Sequence, residues 1–491
     1  MRCSTPVGNI SDIRDILRGA LASLGGFGGR MVARLILMIV AGKLYGPSPL
    51  GLLGQIAAIT EILAAIAVLG LKRSLPDMLS AETDETLHMA IIKEALIACL
   101  GLATLLTVIL GLAWPFLFTD IDTPMTLYFA IPAIAFADTA GAAIRFKRII
   151  RWEVIARCVI EPWVFLAAAV ALYFLNVSET GLIVAFSLSC LGAAAGISIG
   201  LGNAFGWRGI LAAPVRLTSV LRIPRKSLPI GVTDIGIMMF RRLDILVLSI
   251  VAGHGTTGIY YMAQQIVTIP HKIYQLFEPM MVPVLAKLHH RLRTDIIGSK
   301  LAGFCRWTFT LQLAITIPFA IFGGQLLGLF GDEFASGAIV LAFLLLAELF
   351  DGSFALTETA LLYARPGIPP RLVMASLVVE VTFIALLAQI WGAAGAACGF
   401  MLSMAGLAFM RLFMLRRHLS ITILDAGFLP PLIFGSILTG PLLMINRFND
   451  AEKLYIFGPA ILLSIVAYLG MVRFLALTSA DKKLLKRLRT D

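Results

Sequence analysis

The sequence predicts an all-α integral membrane protein: about 14 transmembrane helices, grouped as two parallel-repeat six-helix bundles with an extra C-terminal helix pair. Composition, the lengths of the apolar stretches and an internal repeat carry that prediction. Of the 491 residues, 59% are hydrophobic and 14% charged, and the mean hydropathy is +0.92. A soluble domain has roughly 45–50% apolar residues and about 25% charged ones. Most of this chain therefore belongs in a bilayer.

A helix needs about 20 apolar residues to cross the hydrocarbon core. Stretches near 21–44, 50–71, 91–118, 125–144, 155–175 and 181–204 meet that length. After a polar, basic segment come further ones near 228–251, 257–281, 301–330, 335–362, 371–390, 392–414, 427–446 and 454–476. The loops between them alternate in charge. Lys72-Arg73, Arg145 to Arg151, Arg208 to Lys226, Lys287 to Lys300, Arg365 to Arg371 and Arg416-Arg417 are basic; the loops from Thr119, Asn176, Gly253 and Gly331 are short and nearly free of Lys and Arg. Lys43 and the segment Arg447 to Lys453 are exceptions. Because Lys and Arg concentrate on the cytoplasmic side, both termini are expected there. No cleavable signal is expected either, since no small-residue site follows a short apolar core at the N-terminus.

The repeat fixes the grouping. Gly46 and Gly253 are 207 apart (253 − 46), as are Gly51 and Gly258, Pro76 and Pro283, and Arg34 and Arg241. Later, Arg145 precedes Glu161 as Arg365 precedes Glu380, at slightly different spacings. Six spans per copy give both copies the same orientation, the arrangement of transporters whose site lies between two halves. The expected domains are a cytoplasmic N-terminus (1–20), a first bundle (21–204), a basic cytoplasmic linker (205–227), a second bundle (228–418), an additional helix pair (427–476) and a basic tail (477–491). The linker and the tail read equally as segments lying on anionic lipid or as loops obeying the positive-inside rule; nucleic-acid binding is not expected.

The net charge of +11 (40 basic minus 29 acidic) matters less than where the charges sit. A charged side chain at membrane depth costs ~2.5–3.5 kcal/mol on insertion scales and usually faces a partner or a wet cavity. Arg30 and Arg34 are one turn apart on the first span, and no Asp or Glu lies between Asp15 and Glu61. Starting the span after them would leave Met31 to Leu44, too short to cross. Their planar, permanently charged forks suit phosphate oxygens. They suit equally a structural ion pair with Glu61, Asp138 or Glu161. Arg241 marks the matching seventh span, where Asp244 three residues on offers a local pair. Arg145 is a further candidate, or an interfacial side chain that snorkels. Glu61, Asp138, Asp234, Glu161 and Glu380 are candidates for binding a coupling proton or sodium ion, or for neutralising an arginine. The six cysteines are scattered, and neither a CxxC pair, metal-ligand spacing nor a nucleotide-binding P-loop appears. No metal or cofactor is expected, so transport would draw on an ion gradient, the membrane potential or a substrate gradient.

The deep arginines of the first span, then LYGPSPLG, then a long apolar span ending GLKRSLP, resemble the start of polysaccharide-export proteins. The second copy, LPIGVTDIGIMMFRRLDILVLSIVAGHGTTGIYYMAQQI, resembles it again at the seventh span. These proteins belong to the multidrug/oligosaccharidyl-lipid/polysaccharide exporter superfamily, and the resemblance covers most of residues 20–420. It implies two bundles forming a V-shaped central cavity, alternating access, and a cationic cavity that receives the pyrophosphate of a polyprenyl-linked glycan while the prenyl chain stays in the bilayer. Arg30 and Arg34 match the placement of cavity arginines in such flippases. The implied substrate is a lipid-linked oligosaccharide of O-antigen, capsule or exopolysaccharide type, moved across a bacterial inner membrane, with polysaccharide polymerases as partners and no enzymatic activity. A lipid II flippase, which can also have fourteen spans, and a cation-coupled multidrug antiporter are the alternatives within transport. A membrane glycan polymerase or ligase is the alternative from another class, disfavoured by loops too short for a catalytic domain.

Overall fold

The computed structural model describes residues 29, 32–117, 126–177, 180–290, 294–448 and 454–473. Among them 92% are helical and none is in a strand. In chain order the helices are α1 (32–45), α2 (Pro47–Val68), α3 (Leu71–Ser80), α4 (Glu85–Leu117), α5 (Leu127–Phe146), α6 (Ile150–Val154), α7 (Glu161–Phe174), α8 (Gly181–Phe205) and α9 (Trp207–Ala212). They continue as α10 (Leu217–His290), α11 (Thr294–Ile321), α12 (Gly323–Gly328), α13 (Ala338–Ala364), α14 (Ile368–Leu419), α15 (Leu429–Phe448) and α16 (Leu454–Met471). A π-helical turn, Ile155–Ile160, joins α6 to α7.

Where they are described, the fourteen expected spans fall largely on these helices, and of the first span residues 21–28, 30 and 31 lie outside the described residues. Among the described residues nine helices are long and apolar enough to cross a membrane, which makes this a multi-pass membrane protein. Strongly exposed apolar side chains such as Leu112 (72%) and Phe116 (86%) are what a lipid-facing surface presents, since water would penalise them.

Two departures from the expected loops have a local cause. Spans 228–251 and 257–281 are the arms of α10, which breaks only at Gly253 (φ 77, ψ 175). Spans 371–390 and 392–414 are likewise the arms of α14, broken at Gly392 (φ 57, ψ −131). A residue without Cβ takes these dihedrals without strain, so one glycine does the work assigned to the loop from Gly253. The basic segment 205–227 is also largely helical: it holds α9 and the start of α10. There Lys93 donates to Leu211 O (2.6 Å) and Ala213 O (2.9 Å), and Glu94 accepts from Arg216 N (2.9 Å). These bonds satisfy groups left open between two helices.

The chain divides into two compact units, one of Met1–Tyr45 and Gln55–Arg242, the other of Gly46–Gly54 and Leu243–Asp491. The boundaries run inside α2 and α10 rather than through the basic segment. In the first unit, Gly70 (φ 79) lies against α10: a Cβ there would come within 2.5 Å of Gly231 N, and Ser74 and Ser227 hydroxyls meet at 2.8 Å nearby. In the second unit a core of Leu285, Leu301, Cys305, Leu356, Leu361 and Leu415 joins α10, α11, α13 and α14. The additional pair packs through Leu442 and Phe457 against Phe322 and the end of α11.

The internal repeat has a structural counterpart in the second unit. A Cβ on Gly51 would stand 1.8 Å from His254 O, and one on Gly258 would stand 1.9 Å from Pro47 O. Since 254 − 207 is 47 and 258 − 207 is 51, each copy makes the same contact with the other. This reciprocity is the signature of a local two-fold relation between equivalent segments.

Candidate functional site

The sequence places its candidate residues on α1, α2, α5, α7, α10 and α14, and the structure sorts them by partner. Arg30 lies outside the described residues. Arg34 is half-buried on α1 and takes part in an interaction of its own. Arg241 is exposed at the first arm of α10. Its neighbour Arg242 makes the ion pair instead: Nε and Nη2 both lie 2.7 Å from Glu61 Oε2. Arg145, at the end of α5, pairs with Glu153 of α6 and donates to Lys72 O at 3.3 Å.

The candidate acids of the first unit, Glu61, Asp138, Glu161 and Asp234, are each engaged by a base. Asp138 accepts from Arg157 Nη2 at 2.5 Å and lies 3.6 Å from Lys72 Nζ. Glu161 lies 3.6 Å from Arg157 Nη1, one helical turn away. Asp234 pairs with Arg73 Nε at 3.2 Å. Arg157 thus bridges α5 and α7 from the π-helical turn, whose extra residue per turn re-aims a side chain. Of the three acids that sequence offered as neutralising partners for the first-span arginines, Glu61 has Arg242 beside it, and Asp138 and Glu161 share Arg157.

Glu380 on α14 differs. It is fully buried, and among the described residues neither carboxylate oxygen has a hydrogen-bond partner. The other fully buried acid of this unit is Asp244 on α10. It accepts hydrogen bonds from Tyr260 Oη (2.7 Å), Gln264 Nε2 (2.5 Å) and Ile245 N (2.8 Å), and its charge acts on Glu380. A buried carboxylate with no donor is expensive, and a bound proton or small cation is the simplest way to remove that cost. Among the described residues no group of three or more His, Cys, Asp or Glu has the arrangement of a metal centre.

Two bridging arginines escaped the sequence reading. Arg157 and Arg411 lie inside apolar stretches, as Arg30 and Arg34 do, so the same depth criterion would have found them. Arg411, 8% exposed, pairs with Asp351 at 2.9 Å and with Glu358. The His271–Glu348 contact, at 3.0 Å, was legible only as two separate polar residues.

A family model described as polysaccharide biosynthesis protein matches residues 16–289, more than half of the 491. The chain belongs to that family. Comparison with curated proteins returns no match. Among solved structures, this family member is similar to a lipid II flippase, MurJ, in an inward closed conformation: TM-score 0.71 at 15% identity, covering 92% of this chain and 98% of that one. It is similar also to an inward-facing multidrug resistance MATE family transporter of the MOP superfamily (TM-score 0.64, 16% identity, 80% and 94% covered). A third likeness is to a MOP superfamily transporter from Pyrococcus furiosus, described as having a binding pocket of reverse polarity (TM-score 0.57, 16% identity, 83% and 95% covered). At these identities the likeness establishes the fold alone, the one that these solved structures share.

Proposed function

We propose that this protein moves a polyprenyl-pyrophosphate-linked oligosaccharide, a unit of O-antigen, capsule or exopolysaccharide, from the cytoplasmic to the periplasmic leaflet of a bacterial inner membrane by alternating access. The observation that carries the reading is the match to a polysaccharide biosynthesis family on a chain with the fold of a lipid flippase. Arg30 and Arg34 would receive the pyrophosphate, since guanidinium forks pair bidentately with phosphate oxygens; Arg241, exposed at the matching position of the second copy, would assist. Arg145, already paired with Glu153, would act at most as a positioning residue. Both termini would be cytoplasmic, and the polymerase that consumes the flipped unit would be the natural partner.

Glu380 would carry the coupling ion, a proton or sodium. Glu161 and Glu380 are 219 apart (380 − 161), so the residue matching Arg157 is Ser376 (157 + 219). The second copy therefore keeps the acid and lacks the arginine, which leaves a carboxylate for a mobile cation to neutralise.

The test is genetic and chemical together. In a strain lacking this protein, a variant carrying Arg30→Ala and Arg34→Ala should reach the membrane yet fail to restore surface glycan, while lipid-linked units accumulate on the cytoplasmic side. Full export by that variant would overturn the site assignment. Accumulation of single units at the cell surface would indicate a polymerase instead. The lipid II reading is favoured by the coverage of 92% of the chain by the lipid II flippase; rescue of cells depleted of their own lipid II flippase would establish it in place of the glycan reading.

A further inference from the structure

A polar chain in the second unit, outside the candidate site, fixes the proton positions of a histidine. His271 Nδ1 lies 3.0 Å from both carboxylate oxygens of Glu348 on α13. Gln312 of α11 donates from Nε2 to Glu348 Oε1 (3.1 Å) and toward Pro270 O (3.4 Å); its Oε1 accepts from Ser353 Oγ (2.9 Å). On the other side of the ring, His271 Nε2 lies 3.0 Å from Gln275 Nε2, and Gln275 Oε1 accepts from Lys272 Nζ at 2.5 Å. His271 and Glu348 side chains are only 15% and 11% exposed, and Gln312 and Ser353 are buried.

Donor and acceptor rules leave one consistent assignment. An ammonium group has donors and no acceptor, so Gln275 must turn its oxygen to Lys272 and its amide hydrogens to His271. His271 Nε2 must then accept, and the ring proton sits on Nδ1, donated to Glu348. We propose that His271 is a proton-binding site whose occupancy excludes the Lys272–Gln275 bond. A proton taken from the aqueous phase onto Nε2 makes that nitrogen a donor. The Gln275 amide must then rotate to offer its oxygen to Nε2–H, its NH2 group faces Lys272, and the Lys272–Gln275 bond is lost. One proton gained at His271 thereby reverses its bond to Gln275 and breaks the Lys272–Gln275 bond.

Among the described residues, the elements packed near the ring bring these charged and titratable groups. α10 contributes Lys272, with Tyr274, whose ring lies 6.4 Å from the imidazole and whose hydroxyl bonds Glu278. α13 contributes Glu348 and, a turn further, Asp351, held by Arg411 of α14 together with Glu358. α11 contributes the neutral Gln312. Glu348 is thus the acid directly on the ring, and Lys272 is the base coupled to it. The inference rests on this cluster alone and stands whatever substrate is carried.

The test uses the full-length protein with 15N-labelled histidine in lipid vesicles, observed by solid-state NMR. The His271 signals are identified by their loss in His271→Gln. At neutral pH the wild type should show a protonated Nδ1 and a bare Nε2, and Lys272→Arg, which also offers only donors, should keep that pattern. Lys272→Met frees the Gln275 amide to turn, so a protonated Nε2 should appear at the same pH. A wild-type spectrum with the proton on Nε2 and Nδ1 bare would overturn the proposal without recourse to any variant. So would a Lys272→Met spectrum indistinguishable from wild type.

Discussion

At the scale of single residues, the decisive contrast is between acids paired with a base and Glu380, which has no donor at all among the described residues. Removing one partner of a buried ion pair leaves a charge uncompensated and costs about 3–5 kcal/mol. Asp138→Asn strips Arg157 of its nearer carboxylate, with Glu161 at 3.6 Å still present. We expect a loss near the lower end of that range, about 3 kcal/mol, read as a drop in the thermal unfolding midpoint of the purified protein. Glu380→Gln should behave in the opposite way. It removes a carboxylate that has no donor among the described residues, so stability should be unchanged or higher, while ion-driven transport in vesicles is lost. Equal destabilisation by both changes would show that Glu380 is held by structure rather than by a mobile cation. The presence of charge at depth was legible in the sequence for every one of these residues. Pairing was not: Arg157–Glu161 follows from an i,i+4 spacing, but Arg157–Asp138 and Arg242–Glu61 join residues 19 and 181 positions apart, which no local pattern specifies.

At the scale of elements, the repeat glycines matter more than the composition of the helices that carry them. Gly51 and Gly258 let backbone lie on backbone, with Cβ positions under 2 Å from carbonyl oxygens of Pro47 and His254. A carbonyl belonging to a helix start cannot move aside as a flexible side chain does. Gly258→Ala is therefore expected to cost at least the ~1–3 kcal/mol typical of overpacking, and folded yield by size-exclusion chromatography should fall sharply. Gly255→Ala, three residues earlier and with open space around its Cβ, should leave yield unchanged and serves as the control. Equal yields for the two variants would mean that the crossing yields easily. The sequence signalled this contact through the shared offset of 207, because a glycine pair kept in register is visible in a chain of any composition. The helix breaks were harder to read. A run such as GHGTT looks like a loop by polarity, yet Gly253 alone takes non-helical dihedrals and the residues after it resume the helix at once. The π-helical turn under Arg157 gave no sequence signal, since one extra residue per turn leaves the apolar pattern of the span unchanged.

At the scale of the whole molecule, the ionisable groups are distributed unevenly between the two units. In the first, Arg242–Glu61, Arg157–Asp138, Arg73–Asp234 and Arg145–Glu153 are arginine–carboxylate pairs. In the second, Arg411 with Asp351 and Glu358 is of the same kind, but Glu380 has no donor among the described residues and His271 contacts Glu348, and these are the groups that the proposals above make proton or cation sites. Transport should inherit this asymmetry. In vesicles loaded with substrate, rate against pH should flatten in His271→Gln and in Glu380→Gln, each lacking one titrating group. Arg73→Gln in the first unit should lower the rate by a common factor at every pH and leave the shape of the profile intact. The shape is the informative quantity, since misfolding or poor insertion scales the whole curve and cannot flatten it. If Arg73→Gln flattened the profile while the second-unit variants only scaled it, the titrating groups would have to be sought in the first unit, among pairs that the structure gives as closed.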